Sequence, residues 1–381
     1  MQPVTNKENR KAVNRAICFT EVIINNPCMP VLPQEAKSPT VSVIVPARNE
    51  EDCLGRCLES LEAQSEMAKT EAGSELVFEI IVVDDRSNDH TREIALSFPG
   101  VQVIDADPLP EGWTGKCNAV ACGARVAKGQ WLLFTDADTV HRLGSLGRAL
   151  REAQDRGADL LSYSPEQEVH SLLEKAVMPV IFAELAARYR PEDVSNPASS
   201  AAAANGQYIL ISREAYDAVG GHAEVAGSLL EDVELARLVK RSGRRISFRL
   251  GADQVSTRMY RSAAQLFEGW TKNLALLFHN AVGLAVLRGG EFVVIGGTGF
   301  LAVAAVLRGN PALAGWMGVV WLLVTFLFVR RILRAHFAWD AALLAIFGLP
   351  IFSFLLLRSL ISYKRGRVAW KGRNYSGGAA S

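Results

Sequence analysis

The sequence predicts an α/β fold, an open and mostly parallel sheet with helices on both faces, followed by apolar C-terminal helices. Strand-like and helix-like segments alternate at the spacing of βαβ units between residues 41 and 134. Charged residues are frequent up to Arg261, whereas apolar runs dominate residues 274–357. The first observation predicts a soluble α/β part, and the second predicts a membrane part that follows it.

Each predicted strand is a short apolar or β-branched run. The predicted strands are Val41–Pro46, Phe78–Val83, Val101–Ile104, Trp131–Phe134 and Asn205–Ile211. The second is almost wholly apolar, as expected of a parallel strand covered on both faces. Ligands of open parallel sheets bind at the carboxyl ends of the strands. The polar residues predicted to share that edge are Arg48, Asp84, Asp85, Asp136 and Asp138.

Helical segments separate these strands. Asn49 is suited to cap the first helix, which is predicted to begin near Glu50. Glu231 and Asp232 open the last one, because acidic residues suit the positive N-terminus of a helix. The helices after the first are Arg92–Ser97, Lys116–Ala127, Ala215–His222 with its closing glycines, and Val233–Ser242.

The strand Trp131–Phe134 leads to two carboxylates, Asp136 and Asp138. Alternate side chains of a strand share a face, so the pair can converge on one ligand if the strand geometry persists. A hard divalent cation such as Mg²⁺ or Mn²⁺ would remove their repulsion and keep open positions for substrate phosphates. The pair therefore indicates a metal and diphosphate site, with a solvated acidic turn as the alternative.

Charge and cysteine content disfavour several other classes of protein. The net charge of +1, from 41 basic and 40 acidic residues, provides no global field for nucleic acid. The six cysteines form no Cys-x-x-Cys pair with accompanying histidines, which disfavours zinc and redox sites. The N-terminal segment does not resemble a signal peptide. We therefore expect no nucleic-acid partner and reduced thiols.

Three apolar runs are long enough for membrane helices: Phe292–Leu307, Leu313–Val329 and Ala341–Leu357. The segment Leu274–Leu287 is predicted to be an interfacial helix or a weak span. A cytoplasmic position for Arg330, Arg331 and Arg334 obeys the positive-inside rule. The basic tail should then be cytoplasmic as well. That requires either that the third run, kinked at Pro350, re-enters the same face or that the number of spans differs.

The predicted organisation has four parts. A flexible or loosely packed extension covers residues 1–38, and the α/β domain covers residues 39–272. The membrane region, with an interfacial helix and about three spans, covers residues 273–363. A basic tail covers residues 364–381.

Five motifs follow one another over residues 41–270: Val43–Glu50, Ile81–Thr91, Gly115-Lys116, Asp136-Ala137-Asp138 and Glu231-Asp232. With these motifs the chain resembles the family-2 glycosyltransferases, which have the GT-A fold. Within that family it is most similar to hopene-associated and carotenoid-modifying membrane glycosyltransferases. The residues behind this narrower likeness are Pro108–Lys116, Met259–Ser262, Glu268–Asn273 and Trp370–Arg373.

The resemblance implies how a nucleotide-sugar donor would be held. Asp136 and Asp138 would position the ribose and Mg²⁺ or Mn²⁺, which would neutralise the diphosphate. Lys116 could reach the same phosphates as a point charge, and its alternative is a solvated helix residue. The residues implied to hold the base and ribose are Pro46, Ala47, Arg48, Glu50 and Asp85.

The resemblance also implies an inverting transfer, in which Asp232 matches the general base of the family. Glu231 would orient the loop or the acceptor. The family often has Gln-x-x-Arg-Trp after the base, but this chain has Gln265–Trp270 without the arginine. Ala121 is a second departure, because many relatives carry asparagine after Gly-Lys, so donor preference cannot be copied from them.

The missing arginine leaves the diphosphate contact open. Trp270 could keep a stacking or packing role near the acceptor. Lys272 or the tail residues Lys371 and Arg373, beside Trp370, could supply the missing contact. Alternatively, these basic residues could lie at anionic lipid headgroups.

Together these features imply a membrane-bound, metal-assisted inverting glycosyltransferase that moves a sugar from a nucleotide sugar to a hopanoid-like or carotenoid-like lipid. It would be a multi-pass protein of the inner membrane with a cytoplasmic catalytic domain. The alternatives are a polyprenyl-phosphate glycosyltransferase, a polysaccharide synthase and a catalytically silent membrane scaffold. A nicotinamide-dependent oxidoreductase is disfavoured, because Pro46–Asn49 stands where a glycine-rich loop would be. The sugar, the acceptor and the oligomeric state stay open.

Overall fold

Seven strands form the central sheet, in the order β3-β2-β1-β4-β8-β6-β9. The computed structural model describes residues 39–65, 76–370 and 373–375, so the predicted extension 1–38 lies outside it. Strands β1 to β4 pair in parallel, β8 is antiparallel to both neighbours, and β6 pairs in parallel with β9. The strands are β1 (Val41–Ala47), β2 (Phe78–Asp84), β3 (Val101–Asp105), β4 (Trp131–Phe134), β6 (Leu160–Ser164), β8 (Ile209–Ser212) and β9 (Ile246–Leu250).

Two small sheets complete the strands. The first has the order β5-β10-β7, and the second is a hairpin of β11 and β12 in the tail. Their bounds are β5 (Thr139–His141), β7 (Glu166–Gln167), β10 (Val255–Thr257), β11 (Val368–Trp370) and β12 (Arg373–Tyr375).

Twelve α-helices lie in the described part of the chain. Those of the α/β part are α1 (Leu54–Glu62), α2 (Thr91–Leu96), α3 (Gly115–Val126), α4 (Ser145–Asp155), α5 (Leu172–Arg188), α6 (Pro191–Ser195), α7 (Arg213–Ala218), α8 (Glu231–Arg241) and α9 (Ala263–Leu277). The C-terminal ones are α10 (Ala281–Leu307), α11 (Pro311–Leu333) and α12 (Trp339–Lys364).

The central sheet is covered on both faces, as its apolar strands require. Alternate side chains of β1 enter different cores: Ile44 packs into one, whereas Val43 and Val45 pack into the other. All three are fully buried. The predicted open, mostly parallel sheet with helices on both faces is confirmed.

At the carboxyl edge of the sheet one local prediction is wrong, and the condition attached to a second one is not met. Asn49 does not cap a helix near Glu50, since α1 begins at Leu54. Asn49 instead has a left-handed backbone with φ of 52°, and its Oδ1 accepts a hydrogen bond from Asn88 N at 2.9 Å. The strand leading to the acidic pair ends at Phe134, so the pair lies in the turn that follows rather than on a strand face.

The long helix α5 was not predicted. It begins with a capping box, in which Glu174 N donates to Ser171 Oγ and His170 N donates to a carboxylate oxygen of Glu174. Its middle turns are buried in the core that also contains α9 and α12. Helix α5 therefore packs against the C-terminal part of the chain.

Helices α10, α11 and α12 are long and apolar enough to cross a membrane. The segment Leu274–Leu287, predicted to be an interfacial helix or a weak span, is not one helix, because α9 ends at Leu277 and Asn280 caps α10 by accepting from Gly283 N. Pro350 does not turn the third apolar run back, since α12 is continuous through it.

Charged residues join α10 and α11 to α5. Arg288 of α10 lies 2.9 Å from both Glu184 of α5 and Glu291 of its own helix. Arg331 of α11 lies 2.8 Å from Glu291. These four residues form the basal charge cluster, and opposite charges alternate through it. These ion pairs connect the base of the apolar hairpin, formed by α10 and α11, to the α/β part.

Candidate active site

The carboxyl ends of β1, β2 and β4 border one cavity of about 380 Å³. Most of the predicted site residues line it. They are Pro46, Ala47, Arg48, Glu50, Asp85, Lys116, Asp136, Asp138, Glu231, Asp232, Trp270, Lys272 and Arg373. Trp370 lies in β11, but its side chain is outside the description, as is all of Lys371. The fold thus brings the predicted positions together, and their roles remain predictions.

Lys116 is the cation that lies between two carboxylates of this cavity. Its Nζ lies 2.7 Å from Asp136 Oδ1 and 2.9 Å from Glu231 Oε1. It follows the first residue of α3, whose N-cap is Thr114. Burial lowers the pKa of Lys116, but the surrounding carboxylates, Asp232 included, outweigh it and raise that pKa well above its ordinary value. Lys116 is therefore a permanent cation in the wall of the cavity.

Asp232 is the second residue of α8, directly after Glu231. Its Oδ2 accepts from Gly206 N at 2.9 Å, and its Oδ1 accepts from Val233 N at 2.8 Å. Burial and the charge of Glu231 raise the pKa of Asp232 to about 6, although Lys116 and the two backbone bonds lower it. A carboxylate with a pKa near neutrality is suited to accept a proton and release it again.

Glu231 is shifted in the opposite direction. Burial raises its pKa, but Lys116 and Lys272 lower it more, so the pKa ends below its ordinary value. Burial lowers the pKa of Lys272 despite the nearby carboxylates. Neighbouring carboxylates with separated pKa values carry out different tasks. The opposite shifts favour the ionised form of Glu231 and bring the pKa of Asp232 closer to neutrality.

The tail closes one side of the cavity through Arg373. Its Nη1 and Nη2 donate to the two carboxylate oxygens of Asp85 at 2.5 and 2.9 Å. Arg48 Nη1 donates to the carbonyl oxygen of Asp85 at 2.6 Å. A Cβ at Gly115 would lie 1.6 Å from Arg373 Nη1, so only glycine leaves room for this guanidinium. No local pattern predicted this pairing between Arg373 of the tail and the residue that follows β2.

The acidic pair provides hard oxygen ligands for a metal, but not a complete set. Across residues 39–65, 76–370 and 373–375, no three or more His, Cys, Asp or Glu side chains form a group that could hold a metal ion. Mg²⁺ commonly uses one or two carboxylates plus substrate phosphates. Asp136 and Asp138 fit that arrangement, since both line the cavity and Asp136 lies against Lys116. A cation held by these two carboxylates would need further oxygen ligands, such as substrate phosphates, to complete its coordination shell.

The other half of the cavity is apolar. Its wall comes from α5, α9 and the connection between α11 and α12, through Phe182, Leu185, Trp270, Leu277 and Phe337. Trp270 is buried, and its indole Nε1 lies 3.3 Å from Met178 Sδ. Its ring packs edge-on to Phe182 at 6.1 Å between centroids. Phe182 and Leu185 of this half were not predicted, because α5 itself was not predicted.

Gly206 is a further site residue without an assigned role in the sequence. A Cβ there would lie 2.9 Å from Lys116 Nζ and 3.5 Å from Asp232 Oδ2. The absence of a side chain lets the backbone N–H reach Asp232. The predicted tight turn Asn205-Gly206 before β8 was the signal that could have identified it.

Residues 42–220 match the family model described as Glycosyl transferase family 2. This stretch of the chain is similar to the family 2 glycosyl transferases. The predicted resemblance to that family is thereby confirmed for residues 42–220, and the assignment as a glycosyltransferase is confirmed at the same level.

Two named proteins are similar to this chain. The 4,4'-diaponeurosporenoate glycosyltransferase of Staphylococcus haemolyticus (strain JCSC1435) is 31% identical over 62% of this chain and 61% of its own length. That of Staphylococcus aureus (strain MRSA252) is 27% identical over 88% of each chain. The chain thus spans less than two thirds of the first relative.

A solved structure shares part of the architecture. Mannosyltransferase PcManGT from Pyrobaculum calidifontis, in complex with GDP-Man and Mn²⁺, covers 85% of this chain and 87% of its own. Its sequence identity is 17% and its TM-score is 0.46.

Proposed function

We propose that this protein is a membrane-bound inverting glycosyltransferase that moves a sugar from a nucleotide donor to the hydroxyl group of an apolar, carotenoid-like lipid. The observation that carries the proposal is the two-sided cavity. One end of the cavity is lined by carboxylate and cationic side chains, Lys116 among them. The other end is lined by aromatic and aliphatic side chains. A polar donor from water and an apolar acceptor from the bilayer can meet in such a cavity.

The donor would occupy the polar end. The loop Pro46–Glu50 and Asp85 are placed to hold the base and ribose, as the family resemblance implies. Lys116 and Arg373 face the same space and would bind the diphosphate. Their positive charges would take the place of the arginine that is missing from Gln-x-x-Arg-Trp. Lys272 adds positive charge beside Glu231.

Asp136 and Asp138 would hold Mg²⁺ or Mn²⁺ together with the diphosphate. The bound cation would neutralise the negative charge of the leaving nucleoside diphosphate. Carboxylates outnumber cationic side chains along the cavity wall, so a diphosphate would otherwise meet net repulsion there. Lys116 would keep Asp136 oriented through its 2.7 Å contact.

The transfer would be a single displacement. The acceptor oxygen forms a bond to the anomeric carbon, the bond from that carbon to the diphosphate oxygen breaks, and the diphosphate leaves with the electron pair. Asp232 takes the proton of the acceptor hydroxyl, and its pKa of about 6 suits this step. Gly206 N and Val233 N fix the carboxylate in place.

The relatives support an apolar acceptor. They are named for a carotenoid acid. The resemblance inferred from the sequence motifs extends to hopene-associated enzymes. The apolar end of the cavity adjoins the connection between α11 and α12, next to the apolar hairpin. We place the catalytic domain on the cytoplasmic side of the inner membrane, with α10 and α11 crossing it, so that Arg330 and Arg334 stay cytoplasmic.

Purified protein in lipid vesicles, incubated with labelled nucleotide sugars and a panel of lipid acceptors, tests this function. The panel contains a hydroxylated carotenoid, a carotenoid acid, a hydroxylated hopanoid and a polyprenyl phosphate. The proposal expects label on the hydroxylated carotenoid, appearing with Mg²⁺ or Mn²⁺ and disappearing with EDTA. Asp232→Asn should bind donor without transfer, whereas turnover that survives both EDTA and this substitution would contradict the mechanism.

A further inference from the structure

The helix α12 differs from the apolar hairpin in how it packs. In its most apolar window 44% of the residues are buried, against 11% for α10 and 6% for α11. The buried residues recur at helical spacing and form one face: Ala342, Ala345, Leu349, Phe352, Leu356 and Ser359. That face packs against α5, α9 and the first half of α10.

Both ends of α12 are bonded to the α/β part. Near its start, Asp340 lies 2.7 Å from Lys175 Nζ of α5. Near its end, Ser359 Oγ donates to Thr271 O at 2.6 Å, and Tyr363 Oη donates to Lys272 O at 2.7 Å, both in α9. A helix of 26 residues is about 39 Å long. A helix crossing the bilayer would carry one of these ends to the far side.

The middle of α12 lies at the level of the basal charge cluster. Ser353 Oγ donates to Ala285 O at 2.9 Å, one turn before Arg288. Arg288 and Glu184 form the ion pair at the base of the hairpin. The middle of a spanning helix would lie near the bilayer centre, where such charges are costly. The middle of α12 instead lies where the hairpin leaves the α/β part.

The outward face of α12 is apolar and exposed. Its large side chains recur at helical spacing: Leu343, Phe347, Phe354, Leu357 and Ile361. Exposed basic residues flank this stripe: Arg330, Arg334, Arg358, Lys364, Arg365 and Arg367. An apolar stripe bordered by arginine and lysine fits the boundary between acyl chains and anionic headgroups.

We propose that α12 does not cross the membrane but lies in the plane of its cytoplasmic surface, with the Leu343-to-Ile361 stripe in the acyl chains of that leaflet. The crossing helices are then α10 and α11 alone. Both Arg334 and the basic tail stay cytoplasmic, which satisfies the positive-inside rule without a re-entrant turn. Phe337, which lies just before α12, lines the apolar end of the cavity.

Labelling of single cysteines with a membrane-impermeant maleimide tests this arrangement. The six native cysteines are replaced, and Arg334→Cys, Arg367→Cys and Arg308→Cys are introduced one at a time into full-length protein in oriented membrane vesicles. Arg334→Cys and Arg367→Cys should react from the same face, and Arg308→Cys, in the hairpin turn, from the other. Reaction of the first two from opposite faces would overturn the proposal.

A depth measurement provides a second, independent outcome. Nitroxide labels on Leu343→Cys and Ile361→Cys lie about 27 Å apart along the helix. In vesicles of phosphatidylethanolamine and phosphatidylglycerol, an in-plane helix gives both labels similar shallow depths, whereas a depth difference near the full separation shows a crossing helix. Donor turnover in the same vesicles is measured separately, so loss of the proposed function and failure of this topology are distinguishable.

Discussion

Gly348 of α12 lies directly against the main chain of Ala176 in α5. A Cβ at Gly348 would lie 1.9 Å from the carbonyl oxygen of Ala176 and 2.6 Å from its carbonyl carbon. Both atoms belong to a buried helix and cannot rotate away. The two helices therefore approach each other at this point only because residue 348 has no side chain.

We expect Gly348→Ala to lower the stability of the folded protein, because α5 and α12 must separate to admit the methyl group. Overpacking of this kind costs about 1–3 kcal/mol. Thermal unfolding in detergent measures the effect. Gly315→Ala in α11 is the matched control, because nothing lies within 4 Å of a Cβ there. Equal melting temperatures for the two variants would disprove the close contact.

Ser359 bridges two backbone groups of α9. Its Oγ donates to Thr271 O and accepts from Ala275 N at 2.9 Å, so it stands between two groups that would otherwise bond to each other. We expect Ser359→Ala to misplace Lys272 and lower the transfer rate about tenfold. Ser353→Ala, in the same helix but bonded to α10, should retain activity. The rates are compared with labelled donor, and equal losses in both variants would contradict this account.

The transfer rate should depend on pH through Asp232. Only the ionised carboxylate accepts a proton, and its pKa is about 6. The rate should therefore be constant above pH 6 and fall about tenfold per pH unit well below it. A pH profile of kcat with saturating donor measures this. Asp232→Asn should lose about 100-fold or more, whereas Asp217→Asn, at an exposed position outside the cavity, should keep the wild-type profile.

Lys116→Met should both weaken donor turnover and shift the pH profile. The substitution removes the cation between Asp136 and Glu231, and we expect kcat/KM to fall about 100-fold. Lys116 also lowers the pKa of Asp232, so its loss should move the acidic limb to higher pH. Lys128→Met, at an exposed position, is the control. An acidic limb that stays in place would show that Lys116 does not influence the base.

Arg373→Met should raise the KM for donor. The buried carboxylate of Asp85 loses the bidentate guanidinium at 2.5 and 2.9 Å, and the diphosphate loses a nearby cation. We expect an increase of about tenfold. Arg367→Met removes an exposed arginine from the same tail and should leave KM unchanged. Tighter donor binding by Arg373→Met would instead identify Arg373 as a competitor of the donor.

The local sequence was sufficient for β1, β2 and β4 and for the polar residues after them. Their apolar runs have strand length, and parallel sheets place the carboxyl ends of strands at one edge. The predicted positions consequently line the cavity, although Asp136 and Asp138 reach it from a turn. The contact between Asp136 and Lys116 depends on α3, which was predicted. The contact between Lys116 and Glu231 depends on α8 as well.

The remaining features depend on contacts that leave no local pattern. Strand β6, Leu160–Ser164, contains two serines and resembles a loop, although it is buried between β8 and β9. Helix α5 is apolar on most sides because α9 and α12 cover it. Its sequence therefore lacks the alternation of apolar and polar faces by which a helix is predicted. The pairing of Arg373 with Asp85 joins positions 288 residues apart. Only the folded chain shows these relations.

The contact between Arg373 and Asp85 also has a practical consequence for preparing the protein. A purification tag or reporter fused directly after the tail would extend a segment whose arginine lines the cavity and binds Asp85. Such a fusion risks altering donor affinity while expression and membrane insertion look normal. Enzymatic comparisons should therefore use a tag at the opposite terminus or a cleavable one, with the native sequence restored before kinetics are measured.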